Sequence, residues 1–204
     1  GLLIALIYGF ITITLKQHQV VTGTALNILA IGFASFFQRV LFGVPTSPLK
    51  INPLPMLKIP LLGDIPVLGN IFFNQNMITY LTFVIIPVSI YVLYKTSIGL
   101  TIRSTGENPV AVDVAGINVS KVRYGVVMVA GIFGGVAGAF YSIGYLGMFT
   151  ANIIGGRGWI AFAICFLGNW NPKGAVVGSL IFGLTEAIAI LMQTQNTNGL
   201  FPNE

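Results

Sequence analysis

One carboxylate lies inside a long apolar run: Glu186, within the stretch from Gly174 to Met192. An acid in hydrocarbon is costly and by default marks function. It can carry a proton, or stay neutral and hydrogen-bond between helices. Arg157 stands among Gly155, Gly156 and Gly158, just ahead of Trp159. It can hold carbonyls of the preceding loop or line an outer vestibule. Trp159 can stack a sugar or a base, or serve as an interfacial belt residue. Asn27 brings an amide into another apolar run, to meet a hydrophilic ligand or to bond a neighbouring helix. Asn169 and Asn171 flank a break at Gly168–Pro172, where they can touch a ligand or cap two half-helices. The chain has one Cys (Cys165) and one His (His18), too few for a Cys/His metal cluster or bis-His haem ligation. No catalytic residue and no metal ligand is assigned.

A second set of residues looks built for docking. Gly106-Glu107-Asn108-Pro109 leads through Val112, Asp113, Val114 and Ala115 to Gly116. Asn108 is a good helix cap, Pro109 suits the first helical position and Gly116 the left-handed position beyond the end. The spacing predicts a helix over 109–115, about two turns, too short to persist alone. Its body is small and apolar with Asp113 as the sole charge. Such a helix lies on its own membrane domain or enters a groove on a partner.

The elements that carry these residues are set by composition. Of 204 residues 55% are apolar and 7% charged, with a mean hydropathy of +0.88. Soluble domains carry about 25% charged residues, so a soluble domain is excluded, and so is a disordered chain. The expected class is all-α, a polytopic transmembrane helix bundle in which lipid is the main solvent. The net charge of +5 would suggest nucleic acid in a soluble protein; here it reads as topology, with no nucleic-acid partner.

Spans are expected at Val20–Leu41, Met77–Tyr94, Tyr124–Tyr145 and Gly174–Met192. Leu2–Leu15 is short of the roughly 20 residues a crossing needs. Pro87 should kink its span. Prolines at 45, 48, 53, 55, 60 and 66 forbid a continuous helix over 43–76, which reads as a long external loop. Gly131/Gly135, Gly134/Gly138, Gly174/Gly178 and Ser179/Gly183 are small pairs that let helices approach closely. Trp159–Leu167 reaches only about 13–14 Å, under half the hydrocarbon core. A short segment broken by Gly and Pro is either a discontinuous helix near a transport site or a re-entrant hairpin buried in protein.

Lys95, Arg103, Lys121 and Arg123 share the segment 95–123, which the positive-inside rule places in the cytoplasm. Lys50 and Lys58 count against this, but they are offset by Asp64 in a longer loop. The chain starts at Gly1 inside an apolar run and ends at Glu204 without tail character. It reads as a single permease domain, 1–204, incomplete at both ends, so the lack of a leader carries no meaning.

The run Thr101–Pro109, continuing through Ala115–Val119 and Lys121–Tyr124, resembles the cytoplasmic signature of ABC transporter permeases of the branched-chain amino acid/simple-sugar group. Gly155-Gly156-Arg157-Gly158-Trp159-Ile160-Ala161, Gly168–Gly174 and Ala25–Gly32 are similar to its nucleoside/simple-sugar branch. The resemblance implies a permease dimer of identical or related subunits in a bacterial-type inner membrane. It implies two cytoplasmic ATPase subunits, which would bind the ATP and Mg that this chain does not, and an extracellular substrate-binding lipoprotein. Gly106, Glu107, Asn108, Pro109, Val112, Asp113, Val114, Ala115 and Gly116 would form the coupling element seated in the ATPase. Asn27, Trp159, Asn169 and Glu186 stand as substrate-path candidates.

The expected function is therefore the membrane subunit of an ATP-driven importer for nucleosides or related simple sugars. No Gly-x-x-x-x-Gly-Lys-[Ser/Thr] loop occurs in the chain, so energy must come from a partner. The alternative is a secondary, ion-coupled transporter using the broken helix and Glu186. An intramembrane enzyme would need a nucleophile with a base, or a metal site.

Overall fold

The computed structural model describes residues 1–43, 49–50, 52–58, 73–150 and 153–196. Pro45, Pro48, Pro60, Pro66 and Asp64 of the expected external loop lie outside the described residues. Four described helices are long and apolar enough to cross a membrane: Gln19–Phe42, Met77–Lys95, Val119–Leu146 and Pro172–Thr194. Each extends the expected span by a few residues. The chain forms two compact units, Gly1–Ile153 and Ile154–Glu204.

In the first unit, α1 (Leu2–Gly9) continues as a π-helical turn, Phe10–Thr14. It packs along α6 (Val119–Ala139). Close approach is possible because the facing residues are small. Ala5 is buried, and a Cβ on Gly131 would collide with the Cβ of Ala5. A Cβ on Gly135 would touch Gly1 at 3.4 Å, and one on Gly9 the Tyr124 ring at 3.0 Å. The far end is tied by a 2.6 Å hydrogen bond between the hydroxyls of Thr14 and Tyr124. The two overlapping glycine pairs therefore divide. Gly131/Gly135 is a packing seam, whereas Gly134 and Gly138 face open space.

The helix α2 (Gln19–Phe42) touches α1 and the π turn and is otherwise apolar and exposed. In α3 (Met77–Lys95) the helix runs on through Pro87. Its first turn is capped by Asn76, whose Oδ1 accepts from the Thr79 N–H at 3.0 Å.

The connection between α2 and α3 is not wholly irregular. Two-residue β1 (Leu49–Lys50) pairs antiparallel with β4 (Met148–Phe149), and β2 (Met56–Lys58) with β3 (Asn74–Asn76). Beyond α6 a second π-helical stretch covers Phe140–Leu146. The last carbonyls of a helix lack intrahelical donors. Here Leu54 N–H donates to Ile143 O (3.0 Å) and Asn76 Nδ2 to Gly144 O (3.2 Å). Asn76 is buried, so one amide caps α3 and holds the end of the α6 span.

The segment 95–123 corrects the sequence reading in two ways. It is mostly helical: α4 (Ser97–Glu107) precedes α5 (Pro109–Val114). Thr96 ends α3 and caps α4, its hydroxyl accepting from Gly99 N–H at 3.2 Å. Gly99 is needed at the corner, since a Cβ there would stand 2.5 Å from the Leu93 Cα. Secondly, Lys121 and Arg123 lie in α6 itself, because Asn118 caps that helix through the Lys121 N–H at 3.0 Å.

In the second unit, α7 (Arg157–Leu167) and α8 (Pro172–Asn196) form an antiparallel hairpin. The short helix starts at Arg157, two residues before the expected Trp159, because Gly155 and Gly156 turn the chain at φ +53° and +81°. The tight crossing is glycine-dependent. A Cβ on Gly168 would stand 2.7 Å from the Gly174 carbonyl carbon, and one on Gly178 3.1 Å from the Ile164 side chain. Gly174/Gly178 thus packs as expected, whereas Gly183 of the Ser179/Gly183 pair faces open space.

Candidate functional site

The capped helix α5 is held at both of its ends. Asn108 Oδ1 accepts from Ala111 N–H at 3.1 Å, and Pro109 occupies the first position. At the other end Gly116 has φ +82°. Gly116 N–H donates to Asp113 O (2.9 Å) and Ile117 N–H to Val112 O (3.2 Å). That pair of bonds is a Schellman stop, which needs a residue tolerant of the left-handed region. The helix ends at Val114, with Ala115 as its C-cap.

Its faces differ sharply. Val112 is 6% exposed, while Val110 is 71% and Val114 85% exposed. Residues four apart share a helix face and a residue two away points opposite. Val112 therefore anchors α5 to its own chain, which it meets through α4 and α6. Val110 and Val114 form a bare apolar pair on the outer side. Gly106, Glu107, Asn108, Asp113, Ala115 and Gly116 are also exposed. Packing on the parent domain, one of the two sequence options, thus takes one face of the helix and leaves the opposite face bare.

The four path candidates divide between the two units. Asn27 lies exposed on α2, in the first unit. The other three belong to the α7–α8 hairpin. Trp159 is exposed near the start of α7 and stands edge-on to Phe162, with ring centroids 6.3 Å apart. Asn169 sits at the opposite end, in the turn, at φ +50°, roughly 15 Å further along the helix rise. Capping of α8 falls to Asn171, whose Oδ1 accepts from Lys173 N–H at 3.0 Å. Trp170 also takes a left-handed φ of +55°, unusual for a bulky residue. Its ring lies 4.8 Å from that of Phe166.

Glu186 and Arg157 form an ion pair across the hairpin. This is the hydrogen bond between helices that one reading of Glu186 expected, with Arg157 as its partner. The acid is a partner of the arginine, and the arginine bridges helices. Sequence spacing of 29 residues gave no cue. The cue available was chemical: an acid and a base each isolated in apolar surroundings call for one another. Among the described residues no group of three His, Cys, Asp or Glu could hold a metal ion.

Over residues 1–202 the chain matches the family described as branched-chain amino acid transport system / permease component. It is 40% identical over 192 residues to the guanosine ABC transporter permease protein NupQ of Bacillus subtilis, covering 94% of this chain and 60% of that protein. It is 38% identical over 193 residues to the nucleoside ABC transporter permease protein NupC of Lactococcus lactis subsp. cremoris, covering 94% and 60%. To the nucleoside ABC transporter permease protein NupB of the same organism it is 24% identical over 199 residues, covering 91% and 52%. The chain thus spans about 60% of the length of the first two relatives. No solved structure matches it.

Proposed function

This chain belongs to the family of branched-chain amino acid transport system permease components, and from that premise we propose that it is part of the membrane-spanning permease of an ATP-binding-cassette importer for nucleosides or related simple sugars. The substrate class follows relatives named for guanosine and nucleosides. The observation that carries the mechanism is α5, held at both ends by caps and inward by Val112, with Val110 and Val114 left bare. A rigid apolar knob on a membrane domain suits a groove in a cytoplasmic ATPase. Motion of the ATPase then moves α5, and with it α4 and α6, as one block. ATP and Mg belong to that partner.

Two further partners go with this reading: an extracellular lipoprotein that delivers substrate, and a second permease subunit. Two different nucleoside permeases of one organism resemble this chain, at 38% and 24% identity, which favours a paralogue over a copy. Placing 95–123 in the cytoplasm rests on Lys95, Arg103, Lys121 and Arg123. The ion-coupled alternative has no support: the relatives are ABC permeases, and Glu186 is engaged by Arg157.

The test is Val114→Asp in the full-length permease co-expressed with its ATPase. A carboxylate on the bare face should abolish co-purification of the ATPase while the permease keeps its melting temperature. Normal assembly and uptake in that variant would remove the docking role.

A further inference from the structure

A groove of about 750 Å³ runs between α3, α4 and the part of α6 from Lys121 to Phe133. Its walls include Val92, Ile98, Val126, Val129 and Phe133, and Lys121 lines it too. Lys121 makes no ion pair among the described residues. Together with Arg123 it stands in the opening turns of α6, where the helix dipole disfavours positive charge and no acidic residue offsets it.

We propose that this groove binds an anionic phospholipid, with an acyl chain along the α6 wall and the phosphate on the Lys121 ammonium. The dimensions agree. From Lys121 to Phe133 the helix rises roughly 18 Å, close to the ~15 Å half-thickness that the chains of one leaflet fill. The chemistry also selects. A free phosphate has no use for an apolar wall, and a zwitterionic lipid brings its own cation to compete with Lys121. A basic residue at the membrane-surface end of an interhelical cleft is the arrangement that takes anionic headgroups. The inference rests on membrane insertion alone, not on the transported substrate or on which side the 95–118 segment faces.

The test uses the purified full-length permease, delipidated and then titrated with phosphatidylglycerol or phosphatidylcholine, with retained lipid counted by native mass spectrometry. Phosphatidylglycerol should survive conditions that strip phosphatidylcholine. Lys121→Gln should weaken its retention about five-fold, the value of one near-surface lysine contact, and Lys121→Arg should keep it. A Cβ at Gly125 meets nothing within 4 Å, so Gly125→Phe should fill the groove and displace lipid without lowering the melting temperature. Equal retention of the two lipids by the unaltered protein, or unchanged phosphatidylglycerol retention in Lys121→Gln, would overturn the proposal. So would a lowered melting temperature in Gly125→Phe without lipid loss, since a protein segment would then occupy the groove.

Discussion

Breaking the Arg157–Glu186 pair should cost unequal amounts from its two ends. Glu186 lies 14 positions past Pro172, roughly 21 Å up α8, and about 12 Å short of Thr194, where the apolar window closes. The side chains are 32% and 45% exposed within this chain, and at that depth what they meet is not bulk water. Exposed pairs in water are worth about 0–1 kcal/mol, and losing one partner of a buried pair costs about 3–5. An ion pair of intermediate burial in an apolar span should couple by about 2 kcal/mol. Glu186→Gln takes the carboxylate away from a guanidinium that cannot give up its proton, so its cost should fall between the exposed and buried limits, about 2–3 kcal/mol. Arg157→Gln leaves Glu186 opposite a neutral amide that can still donate a hydrogen bond to it, so its cost should be smaller, about 1–2 kcal/mol. The double Gln variant leaves no charge and should be no less stable than Glu186→Gln alone. Reversible unfolding of the four proteins in mixed micelles measures the cycle. Additivity of the single effects within about 0.5 kcal/mol, or a larger loss from Arg157→Gln than from Glu186→Gln, would refute the reasoning.

Two other substitutions read the packing and the cap. Gly131→Leu should separate α1 from α6 and lower the melting temperature of the purified permease by several degrees, because its side chain meets Ala5, while Gly134→Leu, facing open space, should leave it unchanged; equal effects would deny the seam. Gly116→Ala forces a Cβ into φ +82°, at a cost of about 1–2 kcal/mol to α5, and should reduce transport-coupled ATPase turnover with little change in the melting of the spans; an unaltered turnover would show that the stop of α5 is not needed.

The α5 caps were legible because capping is local. Asn108, Pro109 and Gly116 act on backbone groups within three or five residues, so their types and spacing suffice. The face that α5 turns outward was not legible. Val110, Val112 and Val114 are the same residue type at alternate positions, and nothing in them says which one is buried. That decision came from α4, itself missed because Ser97–Glu107 mixes polar and apolar residues and carries Gly99 and Gly106 within its helix. The same limit applies to the glycine pairs. Gly131/Gly135 and Gly134/Gly138 follow the same spacing, yet only the first meets α1.

The sequence by itself determined that this chain lives in lipid, how many described helices are long enough to cross it, and where the short helix α5 begins and stops. These depend on run length, charge density and neighbours a few residues apart. Only the tertiary structure decided that Arg157 and Glu186 are one unit, that Asn76 serves two helices at once, and that Val112 faces in while Val114 faces out. Each of those joins or separates residues by the direction a helix face takes on packing, which hydropathy within a uniformly apolar span does not encode.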